Sequence, residues 1–220
     1  MLVKGAHRLD ELARSGREDG DMGIITRGFG GRREAEAAAL PPGQYLTRDF
    51  PVLTAGPTQY VDTADWSFTI TTETGDRTTW SWADLMALPS EDIETDIHCV
   101  TRWSKLGTRW RGVPVDTVLE RIETGADYLM AHSYGGYTTN LPLEDVLDSK
   151  AWLAYGYADG PLPAEHGGPL RLLVPHLYFW KSAKWLNGFT LLTSDEPGFW
   201  EGFGYHNHGD PWREERYDGD

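Results

Sequence analysis

From Trp66 onward, apolar positions recur along the chain with two different periods. Trp66, Phe68 and Ile70 alternate with Ser67, Thr69 and Thr71, the period-two pattern of a strand with one buried face. A turn through Gly75 leads to a second expected strand over residues 77–80. Trp82, Leu85, Met86 and Leu88 then follow at helical spacing, which predicts a short helix over residues 82–88 with Ser81 as its N-cap and Pro89 as its stop. Residues 94–99 alternate again and read as a strand that loosens into a loop after Cys99. Pro114 in a first turn, with Val115, Val118, Leu119 and Ile122 on one face, predicts a second helix over 114–122. Further strands are expected over 128–131, 152–157, 170–174 and 186–192, with a tight bend at Gly135-Gly136 before residues 137–141 and a short helix at 143–147. Many short strands with short helices between them predict an α+β fold with largely antiparallel or mixed β-sheets.

Residues 1–40 break this pattern. They mix charges, glycines and alanines with weak periodicity, which predicts a loosely held arm ahead of a compact domain over 41–220 that begins at the Pro41-Pro42-Gly43 turn. A chain of 220 residues with 10 Trp and 10 Tyr suits one domain with a sizeable core. Arg32-Arg33 is followed by Glu34-Ala35-Glu36 rather than a continuous apolar run, so an export signal is not expected and the chain reads as cytoplasmic. The single cysteine excludes an internal disulfide and a Cys-x-x-Cys-His haem attachment. A formal charge of -14 argues against nucleic acid as a partner.

That charge is unevenly spread. No carboxylate occurs from Ile97 to Val115, where Arg102, Lys105, Arg109 and Arg111 stand, nor from His166 to Ser194, which carries Arg171, Lys181 and Lys184. Two basic islands in an acidic chain point to a shared anionic ligand if the fold brings them together; otherwise they are solvated strand faces. Cys99 sits at the edge of the first island, and a thiolate is both a soft metal ligand and a nucleophile. Three readings follow: a metal-dependent oxidoreductase, a Cys99-dependent thiol enzyme, and a non-enzymatic tryptophan-rich ligand-binding module. His98 is a poor base for Cys99, because neighbours on a strand point to opposite faces.

Three blocks separate these readings. His98-Cys99-Val100-Thr101 with Trp103-Ser104, then His166-Gly167 with Pro169-Leu170-Arg171-Leu172 and Val174-Pro175, then Lys181 with Lys184-Trp185, stand in this order. Together they resemble the molybdopterin-binding domain of the sulfite oxidase family, in the form of the short bacterial sulfite-oxidase-like oxidoreductases, across most of the chain from Gln44 to Tyr217. The resemblance implies a sulfite-oxidase-type fold of mixed β-sheets and Mo-molybdopterin as cofactor, with Cys99 as the molybdenum ligand. It implies that His166, Arg171, Ser182, Ala183 and Lys184 hold the pterin and its phosphate, and it sets Ser133 near another pterin contact. Arg48 takes the place of an arginine that lines the substrate anion site, and the resemblance makes it a candidate cofactor contact together with Asp49 and Phe50, which replace an asparagine and a histidine of the family pattern. Tyr205 falls where the family has an active-site tyrosine. The activity implied is oxygen-atom transfer to or from a small sulfur compound, of sulfite or sulfoxide type. Without room for a haem domain, electrons are expected to pass to or from a separate partner. The oligomeric state stays open.

Overall fold

The computed structural model describes residues 40–220. The expected arm and the Arg32-Arg33 pair lie outside the described residues, apart from Leu40. In chain order the first strands are β1 (Tyr45–Leu46), β2 (Ser67–Thr71), β3 (Arg77–Ser81), β4 (Glu91–His98), β5 (Trp103–Pro114) and β6 (Tyr128–Ser133). They are followed by β7 (Thr138–Pro142), β8 (Trp152–Tyr157), β9 (Gly160–Pro161), β10 (Arg171–Leu173) and β11 (Leu186–Leu192). One sheet runs β1-β5-β8-β10, with β4 also on β5 and β9 on β8; the other runs β3-β2-β11-β6-β7. Pairing is antiparallel except at β1–β5 and β2–β11, which are parallel. The sheets are mixed, as the pattern predicts.

The helices are shorter than expected. The first, α1 (Trp82–Met86), opens on a reciprocal cap: Ser81 Oγ accepts from the Asp84 amide at 3.2 Å, and the Asp84 carboxylate accepts from the Ser81 amide at 2.9 Å. The second, α2 (Val115–Leu119), begins right after Pro114 and buries Val115, Val118 and Leu119. Residues Leu143–Asp145 form a single 3-10 turn in place of the short helix expected there.

The larger correction concerns the stretch after Cys99. The loop lasts only to Arg102, and the twelve-residue strand β5 starts at Trp103. Its middle does alternate: Thr108, Trp110 and Gly112 are buried while Arg109 and Arg111 face solvent. The arginines stand on the solvated strand face that is the alternative reading of this basic island. Arg109 pairs with Asp159 and Arg111 with Asp92, each at 3.0 Å, and Lys105 Nζ donates to the Arg48 carbonyl. Much of the first basic island is therefore a solvated strand face.

Two apolar clusters lie on opposite sides of the first sheet. Leu153 and Leu172 belong to a large core that also takes Phe68 and Ile70 of β2 and Phe189 and Leu191 of β11. Their chain neighbours Ala154 and Leu173 belong to a smaller, aromatic cluster with Trp103, Trp110, Phe179 and Cys99, as strand alternation requires. Close approach of β5 to β8 depends on Gly112, where a Cβ would sit 2.9 Å from the Leu153 carbonyl oxygen and where the register shifts. The smaller cluster is the floor on which the site is built.

Candidate functional site

β4 delivers Cys99 into a tight turn that β5 closes. The Cys99 amide donates to the Trp103 carbonyl and the Arg102 amide to the Cys99 carbonyl, each at 2.9 Å. Arg102 has φ 76°, a left-handed conformation uncommon for a residue with a side chain. Gln44 Nε2 donates to the Cys99 and Trp103 carbonyls at 3.0 and 3.3 Å. The Thr101 hydroxyl donates to Cys99 Sγ at 3.1 Å. Burial holds the thiol above its ordinary pKa; the Thr101 bond and the charges of Arg216 and Lys184 pull the other way. His98 is committed elsewhere: its Nδ1 bonds Ser104 Oγ at 2.8 Å, and burial keeps the ring neutral. Such a thiol, held up by burial with no base aimed at it, is not an activated nucleophile.

Cys99 and Thr101 open onto a cavity of about 380 Å³. Its walls are largely aromatic and apolar, from Phe50, Leu53, Trp103, Tyr137, Trp180 and Trp200. Of the residues singled out in the sequence, Phe50, Cys99, Arg171, Ser182, Lys184 and Tyr205 line it. Arg48, Asp49, Ser133, His166 and Ala183 do not reach the lining: the first two are exposed, Ala183 is packed in the large core, and His166 stacks flat on Phe50 at 3.8 Å. Arg102 is exposed, and the neighbouring acids are engaged elsewhere: Asp96 accepts from the Gly107 amide and Asp116 from the Asp148 and Ser149 amides.

The cations of the second basic island are held from within. Arg171 is fully buried and donates to the carbonyls of His166, Leu172 and Ser182, with Phe179 face-on at 4.0 Å. Lys184 Nζ donates to the Leu53 and Glu165 carbonyls, and burial together with Arg171 pushes it down to about 8. Positive charge is thus fixed beside the cavity by backbone dipoles. His166, kept neutral at about 4 by burial and by the Lys184 and Arg171 charges, has a buried Nδ1 with no hydrogen-bond partner.

The sequence reading missed the C-terminal segment as a structural part of the site. Tyr205 lies edge-on to Trp180 at 5.3 Å and its backbone bridges to Tyr217. Arg216 Nη1 donates to the Val100 carbonyl at 2.8 Å. The segment is fastened at His208, whose Nε2 and Nδ1 face carboxylate oxygens of Asp145 and Glu215 at 3.0 and 2.9 Å. Two acceptors on one ring require both nitrogens to carry protons, so His208 is a cation there. The Asp145 bond, with that of Glu215, raises His208 to about 9 against the cost of burial. Burial favours a protonated Asp145, but hydrogen bonds from His176 and His208 outweigh it and hold the carboxyl well below its ordinary range. Because the folded pKa of His208 is raised, its stabilisation is complete below about pH 6.5, the ordinary imidazole value. That stabilisation is lost as pH rises through about 9. Melting curves across this window should show stability declining toward alkaline pH, and His208→Gln should flatten the decline; an unchanged slope would refute the assignment. Nothing short of the fold could have revealed this contact, because its members are 63 and 7 residues apart.

The residues present fit an anionic, ring-bearing cofactor with a soft-metal centre. The cavity offers one thiol, fixed cations and aromatic walls. Besides His166 Nδ1, the buried polar atoms without a partner among the described residues include Ser133 Oγ and the cavity-wall Trp103 Nε1. His166 and Ser133 are two of the positions that the resemblance assigns to the pterin. The family model described as "Oxidoreductase molybdopterin binding domain" matches residues 55–200. The chain is 42% identical over 193 residues to the uncharacterized oxidoreductase YuiH of Bacillus subtilis, covering 86% of this chain and 98% of that protein. It is 28% identical over 176 residues to the putative protein-methionine-sulfoxide reductase subunit YedZ1 of Azospira oryzae, covering 78% and 67%. Its fold is similar to the sulfane dehydrogenase SoxCD of Paracoccus pantotrophus, with a TM-score of 0.57 at 18% identity over 62% of this chain and 40% of that one. A cysteine-floored cavity with fixed cations, on mixed sheets shared with that dehydrogenase, agrees with the sequence match: the chain belongs to the oxidoreductase molybdopterin-binding domain family of sulfite oxidase type, an enzyme family whose cofactor is Mo-molybdopterin.

Proposed function

We propose that this enzyme transfers an oxygen atom between Mo-molybdopterin and a small neutral sulfur compound of sulfoxide type, with Cys99 as the metal ligand. The observation that carries the reading is that the one cysteine of the chain lines the cavity and accepts a hydrogen bond there. When bound, the cofactor supplies a metal that exchanges two electrons and an oxygen atom with substrate, and the protein supplies orientation and charge. Arg171, Ser182 and Lys184 of the cavity lining hold the anionic cofactor. Phe50, Trp180 and Trp200 exclude water, and the Tyr205 hydroxyl donates a hydrogen bond to the substrate oxygen.

Neutral sulfoxide is preferred over sulfite for a specific reason. Arg48, the residue expected to draw an anion, is exposed and outside the cavity lining. The name of the Azospira relative, a putative methionine-sulfoxide reductase subunit, points the same way. The thiol-enzyme reading is disfavoured by the raised thiol and the diverted His98. We place the enzyme in the cytoplasm, where a lone buried thiol is at home; no helix among the described residues is long and apolar enough to cross a membrane. Electrons come from a separate carrier. With a reduced viologen as donor, the loaded enzyme should reduce methyl phenyl sulfoxide and leave sulfite unoxidised when an acceptor is offered. Sulfite turnover with an inert sulfoxide would overturn the substrate assignment.

A further inference from the structure

We propose that Arg216 is a positioning residue for Cys99, reaching back from the C-terminal segment to lock the turn that presents the sulfur; this rests on the reading of Cys99 as metal ligand. The guanidinium is buried, with the residue 6% exposed. Its Nη1 donates to the Val100 carbonyl at 2.8 Å, and its Nη2 to the Pro42 carbonyl at 3.1 Å and to Gln44 Oε1 at 3.4 Å. The amide of the same Gln44 donates from its other end to the Cys99 and Trp103 carbonyls. Two side chains, one before the domain's first strand and one at the end of the chain, thus hold the carbonyls of Cys99, Val100 and Trp103. The Tyr178 ring lies against the guanidinium at 4.9 Å, while the nearest carboxylate oxygen, on Glu214, is 3.7 Å away.

The turn has a reason to need outside support. A non-glycine residue at the left-handed φ of Arg102 is strained and persists only where its surroundings over-determine it. Within the turn, backbone bonds are made by the Cys99 and Arg102 amides. Without Arg216 and Gln44, the Val100 carbonyl would lose its side-chain donor and the left-handed residue much of its restraint. The sulfur would then sample positions that a metal ligand cannot afford. Outer-shell partners of this kind orient a ligand without touching the metal.

The experiment compares Arg216→Gln, Arg216→Lys and Gln44→Leu with the parent, and uses Arg213→Gln on the same segment as a control. In the metal-free proteins, hydrogen exchange is followed at the amides of Cys99 and Arg102. In the loaded proteins, the paramagnetic resonance spectrum of molybdenum, metal content, kcat and KM are measured. Arg216→Gln should speed exchange in the turn, alter the resonance spectrum and lower metal content or kcat by about 10- to 100-fold, with KM near that of the parent. Arg216→Lys should recover part of the loss, Gln44→Leu should disturb the same amides, and Arg213→Gln should leave them unchanged. If Arg216→Gln and Gln44→Leu lower the melting temperature but leave turn exchange and spectrum at parent values, Arg216 only fastens the segment and the proposal is wrong. Should Arg216→Gln fail to fold, Gln44→Leu and Arg216→Lys decide by the same criteria. A Cys99→Ser protein measured alongside separates the two levels. Retention of the parent spectrum there refutes the ligand reading itself; a lost spectrum there, with an unchanged one in Arg216→Gln, refutes only the positioning role.

Discussion

Replacing Cys99 by serine is expected to abolish turnover while moving the melting temperature by only about 2–4 °C, the equivalent of roughly 1 kcal/mol in a chain of this size. The two effects separate because the residue has two distinct attachments. Its backbone is held by Gln44, Trp103 and the Arg102 amide, none of which involves sulfur. The exchange of thiol for hydroxyl is close in volume, and the Thr101 hydroxyl can still donate to the new oxygen. On the proposed reading, what is lost is a soft ligand, for which a serine hydroxyl is a poor substitute at a molybdenum centre. Turnover, metal content and thermal melting of the purified variant measure the two effects side by side. Activity near the parent level would remove Cys99 from the chemistry, and a collapse of the fold would show that its burial matters more than its sulfur.

The largest stability effect is expected at Lys181→Met, at about 3–5 kcal/mol, because it strips one partner from a buried ion pair. Lys181 and Glu201 have fully buried side chains, with Nζ 2.7 Å from the carboxylate. The ammonium also donates to the Asn140 and Asn207 carbonyl groups. The same carboxylate oxygen receives Thr139 Oγ1 and Trp180 Nε1, while the other oxygen has no partner among the described residues. The pair therefore ties β7, the 3-10 turn at Phe179–Lys181 and the C-terminal segment together behind a cavity wall. Methionine would leave the carboxylate charge buried without its counter-ion. Denaturant unfolding reads the cost, and adding Glu201→Leu to Lys181→Met should recover part of it, since an apolar replacement of both partners removes the stranded charge. A single-variant loss below about 1 kcal/mol would mean that water or relaxation already screens the pair.

Local pattern made much of the fold legible. The Trp66–Phe68–Ile70 alternation and the Ser81 cap each rest on neighbours in sequence, and β2 and α1 form where those signals stand. β5 is not delimited by pattern alone, although a solvated strand face is one of the two readings open for its basic island, because a period-two signal is easily masked when the outward residues are charged. Helix lengths were overestimated at α1 and α2, since apolar spacing reports which face is buried and not where the backbone stops. Among candidate site residues, Cys99, Arg171, Ser182 and Lys184 lie in or beside short blocks, each of them local in sequence. Arg48 is different: its place relative to the cavity depends on how residues 47–57 cross the surface, which no short-range signal encodes.

The sequence by itself determined the class of chemistry: a single thiol, cationic segments in an acidic chain, and three ordered blocks sufficient to identify the family. Those features are properties of residue type and spacing, which the chain carries without being folded. The tertiary structure alone decided that Arg109 and Arg111 face solvent, that Arg171 and Lys181 are interior, and that Arg216 closes on the cysteine turn from 116 residues away. A charged side chain's role depends on whether its partner is water, a carbonyl or a carboxylate, and that choice is made only when distant segments are packed against one another.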